Sequence, residues 1–216
     1  MYDYESTLFA KLIDDCKNIN DNYSFADLIA ERKGRYDCRQ AIEWYALLRD
    51  YIPTEYLYNN YKDLFCMIDK DKGYMGYYND FFDKKTLQRL MSVNKHDTIN
   101  NPVLSNLLDE KGYLTVYHGH CKKTMHNSNS WTLNKEVALF FGNRNARFNC
   151  NEQFYCVTGK VKLDDVIAYI TDREEEEIVV LQRFVKRKAK EYFQFDSKGY
   201  LMPKLDDSKT LLESVG

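Results

Sequence analysis

The sequence predicts an α+β protein, in which a helical N-terminal part is followed by a part built mainly of short strands. Apolar residues recur at helical spacing through the first half of the 216-residue chain, and runs rich in β-branched and aromatic residues follow. The charge divides at the same place. Residues 1–110 carry 14 basic and 19 acidic side chains, whereas residues 111–216 carry 17 and 14. We therefore predict a helical domain over residues 1–110 and a mixed domain over residues 111–216.

The helical pattern of the first half comes in separate segments. Apolar residues lie at helical spacing in residues 8–16, 25–29, 57–68 and 87–91, the third of which follows a break at Pro53. Residues 71–80 contain two glycines and predict a loop. The segment 101–112 predicts a short helix that begins at Pro102 and ends at Gly112.

The second half contains strand-like runs around a single helix. The runs are residues 114–119, 154–161, 166–170, 177–181 and 190–195. The helix covers residues 134–141 and is expected to bury Val137, Phe140 and Phe141. This arrangement predicts a mixed α+β part, dominated by short strands, that follows the helical part in the chain.

Composition excludes several protein classes. An apolar fraction of 44 %, with 18 Tyr and 12 Phe, predicts a packed core rather than disorder. No apolar run approaches the roughly 20 residues of a membrane span, and no secretory signal is expected at the acidic N-terminus. The six scattered cysteines form no CxxC pair, which is typical of reduced thiols in a cytoplasmic protein.

Common mechanistic motifs are missing, but three local patterns remain. The chain has no GxGxxG, GxxxxGK[ST], HExxH or GxSxG. The three patterns, in chain order, are Tyr-His-Gly at 117–119, Ser-Asn-Ser-Trp-Thr at 128–132 before a helix, and Arg followed by four Glu at 173–177. Each has a simple structural explanation: a strand end, a helix N-cap and a solvated charged face.

The order and spacing of these patterns resemble the ADP-ribosyltransferase superfamily, whose members consume NAD+. That family has an aromatic-[Arg/His]-Gly strand end, matched here by residues 117–119. It then has a Ser-x-Ser/Thr strand before a helix, matched by residues 130–132 and 138–141, and a Glu-x-Glu before an apolar strand, matched by residues 175–177. The resemblance covers about residues 111–195. It implies an ADP-ribosyltransferase-like split, mixed β-sheet in the second domain.

One feature departs from the family pattern. Members with the Ser-x-Ser element usually carry Arg in the first motif, and members with His there usually carry a tyrosine motif in the second. This chain combines His118 with Ser130. Arg144 and Arg147 are therefore alternative groups for holding the NAD+ diphosphate.

The chemistry of the implied reaction suits a glutamate. Cleavage of the nicotinamide–ribose bond passes through an oxocarbenium-like transition state, which a nearby carboxylate stabilises. We predict Glu177 for this role, with Glu175 expected on the same strand face. The family resemblance implies that Glu175 orients or deprotonates the acceptor. Ser130 would brace Glu177 or the nicotinamide ribose. Its alternative role is to cap the next helix, and the two roles are compatible. His118 would bind the ribose or nicotinamide side, and its alternative is a half-buried structural histidine.

The resemblance also implies a set of residues around NAD+, the expected co-substrate. These cofactor-binding residues are His118, Tyr117, Gly119, Trp131, Thr132 and Phe141. No metal is expected, because His118, His120, Cys121 and His126 lack a second ligand pair. A nucleophile pair of Cys121 and His118 would lack an orienting third group.

The acceptor is predicted only as a class of macromolecule. A basic run could contact RNA or DNA, or be a solvated face, and consists of Arg183, Lys186, Arg187, Lys188 and Lys190. The resemblance implies a mono-ADP-ribosyltransferase acting on a protein or a nucleic acid, compatible with a toxin, a phage host modifier or a phage-defence effector with an antitoxin or inhibitor partner. The alternatives are an NAD+ glycohydrolase on the same scaffold and a non-catalytic binding module.

Overall fold

In the computed structural model, the described residues are 2–33, 38–67, 83–94, 97–121, 129–148, 153–171 and 175–194. The chain forms two compact units, residues 1–94 and residues 95–216. The boundary lies before the predicted one at Glu110, because Leu104 is buried in the core of the second unit and Leu108 packs against it. The α+β class, with a helical N-terminal part, is confirmed.

The first unit is helical. Its helices are α1 (Tyr2–Lys17), α2 (Phe25–Lys33), α3 (Cys38–Leu48), α4 (Thr54–Met67) and α5 (Lys84–Val93). All four predicted helical segments are confirmed, whereas α3 was not predicted. The predicted loop at residues 71–80 lies outside the described residues.

Buried aromatic contacts and caps hold these helices together. The rings of Phe25 and Tyr45 meet edge to face at 5.8 Å, and the Asn60 side chain accepts a hydrogen bond from the Phe25 backbone N–H at 2.6 Å. Asp83 caps α5 by accepting from two backbone N–H groups of its first turn. None of the described helices is long and apolar enough to cross a bilayer.

The second unit begins with a short helix and continues with strands. Its elements are α6 (Pro102–Asn106), β1 (Tyr113–Cys121), β2 (Ser130–Thr132), α7 (Lys135–Phe148), β3 (Gln153–Lys162), β4 (Val166–Ile170), β5 (Glu177–Val180) and β6 (Lys186–Gln194). The predicted start of α6 at Pro102 is confirmed, with Asn101 as its N-cap. The helix ends before Gly112, which instead makes the turn into β1 with a φ of 74°.

Within the described part of the second unit, six strands form one sheet in the order β4-β5-β2-β1-β3-β6. All five neighbouring pairs are antiparallel, so the expectation of a mixed sheet is wrong. The connection β2–α7–β3 has the pattern of a parallel crossover, but β1 lies between β2 and β3. Each of the two therefore pairs with an antiparallel neighbour.

The helix α7 packs on the sheet through its small residues. Ala138, Gly142 and Ala146 are buried, whereas Phe140 is 61 % exposed, so the predicted burial of Phe140 is wrong. The close approach explains this, because a Cβ added at Gly119 on β1 would lie 1.7 Å from the Ala138 carbonyl oxygen. Large side chains do not fit in that interface, and the stripe at every fourth residue is small instead.

Candidate functional site

The three sequence motifs lie side by side on neighbouring strands. Tyr117 on β1 is paired with Thr132 on β2, and Thr132 is paired with Glu177 on β5. Within the described residues, β1 and β2 are in register only at the pair Tyr117 and Thr132. The pairing between β1 and β2 is therefore short, and it falls where the motifs meet.

A buried carboxylate and a hydroxyl form the centre of this arrangement. Glu177 is only 6 % exposed. Its Oε1 accepts a hydrogen bond from Ser130 Oγ. Strand alternation places both side chains on the same face of the sheet. The predicted alternative, in which Ser130 caps α7, does not occur: Asn134 caps that helix by accepting from the Glu136 backbone N–H at 2.9 Å.

The end of β2 fixes the backbone in front of Glu177. Thr132 Oγ1 donates to the Glu175 carbonyl at 2.6 Å, and the Leu133 N–H donates to the Glu176 carbonyl at 3.1 Å. Glu176 has a φ of 45°, in the left-handed region that side chains other than glycine rarely adopt. Because β5 begins at Glu177, Glu175 does not share a strand face with it, and that prediction is wrong.

The histidine and tryptophan of the motifs lie on the other face of the sheet. The His118 and Trp131 rings have centroids 5.4 Å apart. Trp131 is 2 % exposed and belongs to the hydrophobic core that includes Val116 and Ile178. The structure thus brings Ser130 and Glu177 together and leaves His118 on the opposite face, as strand alternation requires.

Two further residues predicted to bind the cofactor have visible packing roles. Gly119 lies directly under α7, where any side chain would collide with the helix backbone. Phe141 is half-buried on α7, with the Arg144 guanidinium 5.4 Å from its ring centroid. At about 100° per residue, Arg144 and Arg147 lie on the side of α7 opposite Ala138 and so point away from the sheet. Neither arginine is placed beside Glu177.

Sequence reasoning missed Lys135, the first residue of α7. Its Nζ donates to Glu191 Oε1 at 2.7 Å, and this hydrogen bond raises the pKa of Lys135. The strand register places Glu191 and Cys156 on the same sheet face as Tyr117. Burial raises the pKa of the Cys156 thiol to about 11. The sequence feature that could have identified Lys135 is its position three residues after the Ser-x-Thr strand.

The predicted basic run lies on an edge of the sheet. Arg183 precedes β6, and the remaining four basic residues are exposed along it. Lys190 Nζ lies 4.1 Å from the Tyr155 ring centroid, and Lys186 Nζ donates to the Tyr113 hydroxyl at 2.7 Å. Lysines on an edge strand also prevent pairing with other chains, so both predicted explanations of the run remain.

The described part of the chain holds no group of three or more His, Cys, Asp or Glu side chains suited to a metal ion. His120 is buried and packs on Tyr155 at 5.1 Å between ring centroids. His126, Ser128, Arg173 and Glu174 lie outside the described residues.

Comparison with protein-family models, curated proteins and solved structures finds no match to this chain. The resemblance to ADP-ribosyltransferases therefore rests on the motifs alone.

Proposed function

We propose that the protein is a mono-ADP-ribosyltransferase that transfers ADP-ribose from NAD+ to a macromolecular acceptor, a protein side chain or a nucleic acid. The observation that carries the proposal is the Ser130–Glu177 hydrogen bond in the row of Tyr117, Thr132 and Glu177. A carboxylate held in this way, between two motifs far apart in the sequence, suits the stabilisation of a positively charged sugar.

The first step breaks the bond between nicotinamide and ribose. The electron pair of that bond goes to the pyridinium nitrogen, so nicotinamide leaves neutral and needs no acid. Positive charge develops on the ribose, and Glu177 stabilises it by charge and by holding a ribose hydroxyl. Ser130 donates to one carboxylate oxygen and orients the other. The low exposure of Glu177 strengthens its interaction with the developing charge.

We infer that NAD+ binds at the centre of the sheet, beside the short pairing of β1 with β2. Tyr117 and His118 point to opposite faces of β1, so they would make separate contacts with a ligand bound there. Lys135 lies on the same face as Glu177, whereas Arg144 and Arg147 point away from the sheet. We therefore favour Lys135 as the positive charge for the diphosphate.

The acceptor attacks the ribose in the second step and must lose a proton. Glu175 is half-exposed, and Thr132 and Leu133 hold the backbone around it. These contacts suit a base that faces an incoming macromolecule, with Glu177 buried behind it. In a glycohydrolase the acceptor is water, which can lose its proton to the solvent, so hydrolysis would depend on Glu177 more than on Glu175.

One observation favours the rival of a non-catalytic binding module. His118 packs against Trp131 on the face opposite Glu177, so the three predicted site residues do not form one cluster. If the module binds without cleaving, the protein will bind NAD+ or its partner and release no nicotinamide.

Labelled NAD+ added to a whole-cell lysate tests the proposal. We expect label on macromolecules with the wild-type protein and none with Glu177→Gln, which keeps the size of the side chain and removes its negative charge. Protease and nuclease treatment of the product then identifies the acceptor class. Free ADP-ribose alone would establish hydrolysis, and intact NAD+ with both proteins would refute the enzymatic proposal.

A further inference from the structure

The outer side of α7 carries an unusual combination of exposed aromatic and basic side chains. Phe140 is 61 % exposed and Phe148 is 80 % exposed. They border a groove of about 520 Å³ whose described lining is completed by Asn143, Arg144 and Arg147. Large apolar side chains this exposed are not needed for the packing of α7, because its small residues face the sheet.

Both arginines of this groove have defined contacts, and one of them lies over aromatic rings. The Arg144 guanidinium lies 5.4 Å from the Phe141 ring centroid and 6.0 Å from that of Phe148. Arg147 Nε donates to Asn143 Oδ1 at 2.9 Å. Residues 140, 144 and 148 are each one helical turn apart, so an arginine stands between two phenylalanines along about 12 Å of helix.

The charge of the groove favours an anionic occupant. Its described lining contains two arginines and no acidic residue. The acidic residue of α7, Glu136, lies one helical turn before Phe140, about 6 Å along the axis, and is not among the described lining residues. Guanidinium groups bind phosphates through two parallel hydrogen bonds, and exposed aromatic rings stack on bases of any sequence.

We propose that this outer face of α7 binds single-stranded nucleic acid. Phe140 and Phe148 stack on bases, while Arg144 and Arg147 contact the intervening phosphates. Single-stranded nucleic acid fits better than a duplex, whose bases are already stacked and cannot cover the phenylalanine rings. The proposal does not depend on NAD+ cleavage, because the groove lies on the side of α7 away from Glu177.

Fluorescence anisotropy with labelled 15-mers of U and of dT tests the proposal on the full chain. Phe148→Ala is expected to weaken binding by roughly 5- to 150-fold, the loss of one stacked base. The double variant Arg144→Gln/Arg147→Gln is expected to reduce the slope of log K against log salt by about 1.4, since each phosphate contact contributes about 0.7. Both oligonucleotides should respond alike.

Matched controls separate this surface from the rest of the unit. Leu107→Ala removes a side chain that is 50 % exposed elsewhere in the second unit. Lys111→Gln/Lys162→Gln removes two exposed charges away from α7 and from the basic run. These two variants are the controls, and Arg183→Gln/Lys188→Gln tests the basic run at β6 as the competing surface. Both controls should retain wild-type binding, and thermal melting should match wild type for every variant.

Several results would overturn the proposal. The first is that neither 15-mer binds. The second is that binding is lost in the Arg183/Lys188 variant and kept in the α7 variants. The third is equal affinity for poly-glutamate, which would indicate a protein partner. Self-association of the wild type that Phe148→Ala abolishes, without oligonucleotide binding, would show that a second copy covers the groove.

Discussion

Replacing Ser130 with Ala removes the hydroxyl that donates to Glu177 and leaves the β2 backbone in place. A hydrogen bond to an ionised group contributes about 1.5–3 kcal/mol, and Glu177 is 6 % exposed, so water replaces the hydroxyl poorly. If the bond is kept through the transition state and lost in the variant, kcat/KM falls by roughly 10- to 150-fold. Nicotinamide release from NAD+, followed by chromatography, measures this change.

Two companion variants decide whether Ser130 acts through Glu177. Adding Ser130→Ala to Glu177→Gln should cost nothing further, because the hydroxyl then has no carboxylate to orient. Thr132→Val removes a neighbouring hydroxyl that bonds the Glu175 carbonyl instead, so it should lower transfer to the acceptor more than nicotinamide release. Wild-type turnover in Ser130→Ala, or full multiplicative loss in the double variant, would refute the reasoning.

Three predictions concern stability and are measured by thermal melting. Gly119→Ala should destabilise the second unit by about 1–3 kcal/mol or more through collision with α7, whereas Gly112→Ala, which meets no neighbour at a φ of 74°, should cost only about 1–2 kcal/mol of backbone strain; equal losses would contradict the packing explanation. Glu176→Val should destabilise and Glu176→Gly should not, because φ is 45° there; a melting temperature unchanged by valine would argue against strain. The hydrogen bond from Lys160 lowers the pKa of Asp109 from 3.8 to about 2, so its stabilisation is fully present above pH 3.8 and is lost as the pH falls through 2. Asp109→Asn should therefore melt earlier than wild type at pH 6, and the difference should shrink as the pH falls from 4 to 2. A difference as large at pH 2 as at pH 6 would contradict this.

The sequence patterns predicted element types better than orientations. Short β-rich runs after residue 111 became strands, and Pro102 marked the start of α6, because both signals are local. The prediction that Phe140 is buried was wrong because it used hydrophobicity alone, which ranks phenylalanine above alanine and glycine as a buried residue. At α7 the deciding factor is distance: the helix approaches Gly119 so closely that only small residues fit. That distance is a tertiary property, which the sequence of α7 does not contain.

The candidate site shows the same division. The contact between Ser130 and Glu177 followed from two motifs that would meet on neighbouring strands, and the structure joins them. The position of Glu175 did not follow, because it depends on the left-handed backbone of Glu176, and a run of four glutamates carries no signal for a positive φ. Lys135 was missed for a similar reason, since its partner Glu191 lies 56 residues away on β6.

The two faces of β1 allow one more test of the site. Tyr117 lies on the same face as Glu177, and His118 lies on the other. If NAD+ binds beside the short pairing of β1 with β2, His118→Ala removes a contact remote from the reacting bond. It should raise KM for NAD+ and leave kcat within a few-fold of wild type, as expected when ground state and transition state lose equal binding. Tyr117→Ala, beside Thr132 and nearer the carboxylate, should lower kcat as well. A large loss of kcat in His118→Ala with unchanged KM would mean that the histidine reaches the reacting ribose. The proposed position of NAD+ beside the β1–β2 pairing would then be wrong.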